Sequence, residues 1–205
     1  MKELQRALSE IHCIRSQVAR GTEFRGYGPA SIALSGLLAL VVAALQSQWA
    51  VAHGRLALTD WIAVWAGTAA FSVLLTGLDT FVRARRVHVG FAREMIQSAA
   101  EQFLPTLAVG LLLTVVMTTV APQECWMLPG LWELIFSLGV FASCRFLPKQ
   151  MFAVGVWYLG AGLSCLAAGS SGRALSPWMM GIPFGVGQLL VALVLQLGYR
   201  KARDE

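Results

Sequence analysis

The chain has 205 residues, of which 57% are hydrophobic and 13% charged, and it carries a net charge of +5. Soluble domains carry about 25% charged residues, and the apolar residues here fall in runs long enough to match a hydrocarbon layer about 30 Å thick. Composition thus excludes an ordinary soluble domain and points to an all-α integral membrane protein, whose basic excess must be judged by position before it is read as a nucleic-acid patch.

Residues 1–24 read as a cytoplasmic amphipathic helix. Its apolar residues are Leu4, Ala7, Ile11, Ile14 and Val18, spaced 3, 4, 3 and 4. That is the a/d spacing of a helical seam. The stretch is charged throughout and has no continuous apolar run, so it is not expected to be a secretory leader. Residues 25–205 read as one membrane domain of six helical spans, at about 29–50, 60–82, 104–121, 130–147, 150–168 and 178–198. A helix satisfies its own backbone hydrogen bonds in lipid.

The first span is introduced by Pro29 and contains IALSGLLALVVAALQSQWA, without a charge. The second contains WIAVWAGTAAFSVLLTGL and has Asp79 in its last turn, with Arg83 four residues on and positioned for a local ion pair. Residues 83–103 then form a second cytoplasmic amphipathic helix. Val89, Ala92, Ile96, Ala99 and Phe103 repeat the 3, 4, 3, 4 series, and Gly90 marks a bend. The two seams predict self-association, packing within the chain, docking of another protein, or contact with the membrane surface.

Phe-Leu-Pro opens both the third and the fifth predicted span, at Pro105 and Pro148. Proline suits a first helical turn, where its missing N–H would have no partner. WMLPGLWEL at 126–134 and WMMGIPFGVGQLL at 178–190 rhyme in the same way. Spans three and four and spans five and six thus read as a parallel repeat of helical hairpins, or as a helix start written twice. Glu133 falls near the outer end of span four, within reach of interfacial water. Gln188 lies about ten residues into span six, close to the midplane at about 1.5 Å per residue. Pro183 between Gly181 and Gly185 predicts a bent helix start. Asp79, Glu133 and Gln188 together form the candidate intramembrane polar site.

Fourteen of the sixteen Lys and Arg residues fall on one side of this arrangement: Lys2, Arg6, Arg15, Arg20, Arg25, Arg83, Arg85, Arg86, Arg93, Arg145, Lys149, Arg200, Lys201 and Arg203. Only Arg55 and Arg173 fall on the other. By the positive-inside rule both termini are expected in the cytoplasm of a bacterial cell, with the protein in its cytoplasmic membrane. No nucleic-acid partner is expected.

His12, His53 and His88 are too scattered for one metal or haem site, and no hydrolase, zincin or P-loop pattern is present. Cys125 and Cys165 both fall toward the outer face, where a disulfide and two free thiols are alternatives. No catalytic residue, metal or cofactor is expected. The sequence favours a non-catalytic scaffold, assembly factor, sensor or regulatory subunit acting through its amphipathic helices. The alternative is a small transporter or channel, which would use the polar residues of the spans.

Overall fold

The computed structural model describes residues 28–54, 56–86, 89–144, 147–169 and 175–204. The seam at Leu4, Ala7, Ile11, Ile14 and Val18 lies outside them. So do the side chains of Val89, Ala92, Ile96, Ala99 and Phe103, the second seam.

All regular structure among the described residues is helical: α1 (Pro29–His53), α2 (Leu58–Arg86), α3 (Val89–Val120), a 3-10 turn (Pro122–Met127), α4 (Leu128–Ser143), α5 (Met151–Ala168) and α6 (Trp178–Asp204). Five stretches are long and apolar enough to cross a membrane: Pro29–His53, Leu58–Arg83, Pro122–Ser143, Met151–Ala168 and Trp178–Arg200. Leu104–Val120 is apolar but shorter. Large apolar side chains face outward along α2 and α3, among them Phe71, Leu74, Leu78, Leu111, Leu112 and Val116. In water that surface would be a liability; in lipid it is the expected exterior. The architecture is that of a helical membrane bundle.

Each helix runs antiparallel to the next. Asp79 near the end of α2 meets Ser31 at the start of α1, and Trp65 meets Gln46. Trp132 of α4 meets Thr114 of α3. Cys165 late in α5 meets Met179 at the start of α6. α6 closes back on α1, where Ile32 packs with Ala192 and Leu195. The start of α1 and the end of α6 therefore share one end of the bundle.

Small residues set the closest approaches. Pro29 starts α1 at a position that needs no backbone donor, and Gly54 ends it with φ 87°, a left-handed conformation that glycine adopts without strain. Between these ends α1 buries Ile32, Ser35, Gly36, Ala39, Ala43 and Gln46. A Cβ on Gly36 would sit 2.8 Å from the Gly185 carbonyl of α6, and one on Gly181 would collide with Ala43. Small residues bring helix backbones together where lipid offers no hydrophobic drive to associate.

The structure departs from the expected boundaries in four places. α2 runs on to Arg86, so residues 83–86 continue it and do not begin the separate helix expected at 83–103. α3 is continuous from Val89 to Val120, so Pro105 lies inside a helix and does not start one. Proline removes one backbone donor. Unwinding the segment would expose many more unpaired groups, which an apolar surround penalises. α4 stops at Ser143, short of 147, and Leu147 is non-helical, as suits the residue before a proline. α6 runs on to Asp204, where basic residues suit a helix C-terminus.

The two rhyming phrases also differ in structure. Leu104–Pro105 is helical, whereas Leu147–Pro148 lies in the turn before α5. Pro129 stands at the start of α4 and Pro183 stands inside α6. The phrases share composition without sharing local conformation.

Candidate functional site

The three predicted polar residues do not meet. Asp79 accepts from Arg83 Nε at 3.0 Å and from Ser31 Oγ at 2.8 Å, closing the end of α2 onto the start of α1. The expected local ion pair is present, with the Ser31 contact added to it. Gln188 is half-buried on α6 and lies over Gly36 of α1. Glu133 stands apart from both, at 0% exposure.

That burial corrects the expectation that Glu133 reaches interfacial water. The cause is the crossing of α4 and α5. A Cβ on Gly130 would stand 2.7 Å from the Gly162 carbonyl, and one on Gly162 would stand 2.9 Å from the Gly130 carbonyl. Two bare backbones in contact close off the outer approach. Glu133 is one turn beyond Gly130, and Cys165 is one turn beyond Gly162. Side chains tilt toward the N-terminus of their own helix. On antiparallel helices these two therefore tilt toward each other, and Cys165 Sγ lies 3.6 Å from Glu133 Oε1.

α6 supplies the third wall. The Cys165 thiol also donates to the Met179 carbonyl at 3.4 Å. In a regular helix that carbonyl would accept from the N–H four residues on, but residue 183 is proline. The helix is continuous through Pro183, but the missing donor leaves the Met179 carbonyl as a free acceptor facing α5. Pro183 contributes again through its own carbonyl, which accepts from Trp157 Nε1 at 3.0 Å.

Deeper along the same interface lie Ser137, one turn from Glu133, and Tyr158, one of whose neighbours is Gly187. Tyr158 is close enough to Glu133 to interact electrostatically. Its ring packs edge-on against Phe136 at 4.7 Å and tilts against Phe184 at 5.4 Å. Glu133 Oε2, Ser137 Oγ and Tyr158 Oη are all buried without a hydrogen-bond partner in the protein. Cys125, Cys144 and Cys165 are free thiols. Of the two alternatives for Cys125 and Cys165, the structure has two unpaired thiols, because Cys165 is turned to Glu133 and Met179. Among the described residues no group of three His, Cys, Asp or Glu could hold a metal ion.

A second feature lies on the other side of α4. Two cavities, of about 330 and 510 Å³, run between the α2–α3 hairpin and α1, α4 and α6. They share Ser35, Ser72, Val73, Leu107, Phe136 and Gln188, and among the described residues no charged side chain lines either of them. Down one wall run Thr68, Ser72, Thr76 and Thr80, each hydroxyl donating to the carbonyl four residues before it at 2.7–2.8 Å. Each hydroxyl oxygen keeps acceptor capacity for a second group. This ladder is written in the sequence as hydroxyls at i, i+4, i+8 and i+12, a neutral pattern that a reading for ionisable residues passes over. The pairing of Glu133 with Cys165 has no such local signal.

No family model matches the chain, and neither a curated protein nor a solved structure matches it.

Proposed function

We propose that this protein is a small transporter-type membrane protein that binds an uncharged, largely apolar molecule entering from the bilayer. One observation carries the reading: the two adjoining cavities, which share six lining residues, are lined by no charged side chain among the described residues and carry a ladder of hydroxyl acceptors. Apolar walls with a few placed polar groups are the ordinary form of a small-molecule site. Among the described residues a permanently charged ligand would find no counter-ion there. A ligand with an apolar body and one or two hydrogen-bond donors fits, with its donors on the Ser72 and Thr76 oxygens or the Gln188 amide.

The reading takes the protein as a six-span bundle in a bacterial cytoplasmic membrane. Leu104–Val120 is the third span, and both termini are inside, as the placement of basic residues supports. It takes the protein as non-catalytic. The scaffold or regulatory reading stands as the second, favoured by the matching 3, 4, 3, 4 seams at Leu4–Val18 and Val89–Phe103. Its partner would be a second copy or another protein.

Native mass spectrometry after gentle extraction from the source membrane separates the two. A small-molecule adduct retained by the wild type and lost in Ser72→Trp, which fills the wall common to both cavities, is the expected result. A stoichiometric second protein with no small-molecule adduct would overturn the transporter reading in favour of the scaffold.

A further inference from the structure

Glu133 lines neither cavity, so the following does not rest on the ligand reading. An ionised carboxylate in an apolar interior is costly unless a positive charge or several donors face it. The groups facing Glu133 can be enumerated among the described residues. From α5 come the Cys165 thiol and the Tyr158 phenol. α6 brings the Met179 carbonyl to the same thiol and no titratable side chain. α3 has no ionisable side chain in 104–120, and the 3-10 turn carries Glu124, which is exposed and accepts from Trp126 Nε1 at 2.9 Å. The ion pair of Arg83 with Asp79 is at the opposite end of the bundle. Among the described residues Glu133 thus has no cationic partner, and one of its oxygens has no partner at all.

The other buried atoms without a partner nearby are also oxygens, Ser137 Oγ on the same face of α4 and Tyr158 Oη across from it on α5. Buried polar groups are nearly always satisfied, and those that are not need a specific explanation. One carboxylate with neutral oxygens matches a single positive charge. A divalent ion would leave a net charge buried, and it commonly takes more carboxylate ligands than one. Oxygen donors also disfavour soft metals.

We infer that Glu133, with Ser137 and Tyr158 beside it, is an exchangeable site for one monovalent hard cation, a hydron or a sodium ion, held between α4, α5 and α6. Loading by a hydron forms the O–H bond on Glu133 Oε2 and leaves the buried carboxyl neutral. Loading by sodium places the ion among the same oxygens. In either case the Cys165 thiol keeps its proton and turns between Glu133 Oε1 and the Met179 carbonyl.

The test is attenuated-total-reflection infrared difference spectroscopy on the full-length protein in lipid. A pH step is applied first, and then a sodium chloride step at fixed pH against N-methylglucamine chloride. The expected result is a protonated-carboxyl band that is lost as pH rises, is absent in Glu133→Gln and is moved in Glu133→Asp. The Asp variant keeps a carboxyl, so the assignment survives if the Gln variant does not fold. Loss of the same band on adding sodium at constant pH identifies sodium as the competing ion, and no sodium response identifies a hydron site. A Glu133 carboxyl whose spectrum responds to neither step would overturn the inference. The cavity experiment can fail while this one succeeds, and the reverse.

Discussion

At the residue scale, the molecule distinguishes glycines that are structural from glycines that merely sit in an apolar helix. Gly130 touches backbone across the α4–α5 crossing, so a side chain there must push two helices apart. Gly160, on the same α5, has nothing within 4 Å of a Cβ and faces outward. Overpacking of a close contact costs about 1–3 kcal/mol, and sometimes more. Gly130→Leu should therefore lower stability by at least that amount in detergent-unfolding titrations, and Gly160→Leu should leave the midpoint nearly unchanged. Equal losses would mean that the crossing does not hold the bundle together. The Asp79–Arg83 pair belongs with the weak contacts despite its good geometry. Its side chains are 27% and 49% exposed, and exposed pairs are worth about 1 kcal/mol or less. Asp79→Asn should shift the same titration by no more than that.

At the element scale, α6 shows how a helix defect becomes a contact. Pro183 withholds the donor that would satisfy the Met179 carbonyl, and the Cys165 thiol takes its place. Cys165→Ala should cost about 1–3 kcal/mol by leaving a buried acceptor unpaired. In a Pro183→Ala background the substituted residue would supply the backbone donor, and the same Cys165→Ala change should cost about 1 kcal/mol less. A double-mutant cycle on unfolding midpoints measures that coupling. Additive effects would mean that the thiol does not replace the missing backbone bond. This contact also marks the limit of the sequence. Helix positions were readable from runs of apolar residues, and the start of α6 at Trp178 falls where expected. Pro183 was legible as a defect because its chemistry is local. What fills the defect was not, since Cys165 and Met179 meet only through the packing of two helices. Glu133 was misjudged for the same reason: its depth in the sequence placed it near water, and the Gly130–Gly162 crossing buries it. The continuity of α3 through Pro105 went unseen because proline's local preference competes with the cost of unpaired backbone in lipid.

At the scale of the whole molecule, the antiparallel order of six helices makes a sharp statement about sidedness. Residues 54, 121–127 and 175–177 lie at one end of the bundle, whereas 147–150 and the start of α1 lie at the other. If all six helices cross, reporters at these two sets must give opposite signals. The decisive helix is α3. Its apolar part, Leu104–Val120, has 17 residues, about 26 Å at 1.5 Å per residue, slightly short of a layer about 30 Å thick. The helix, however, extends without a break to Val89, so further turns are available to complete the crossing. Fusions of alkaline phosphatase and of a cytoplasm-active fluorescent protein at Gly54, Gln123, Ser176, Lys149 and the C-terminus read this directly. The expected pattern is phosphatase activity at the first three and fluorescence at the last two. A fluorescent fusion at Gln123 would show that α3 does not cross. The chain would then have five spans, and the basic residues at Arg145 and Lys149 would lie on the outside, against the bias that the other basic residues set.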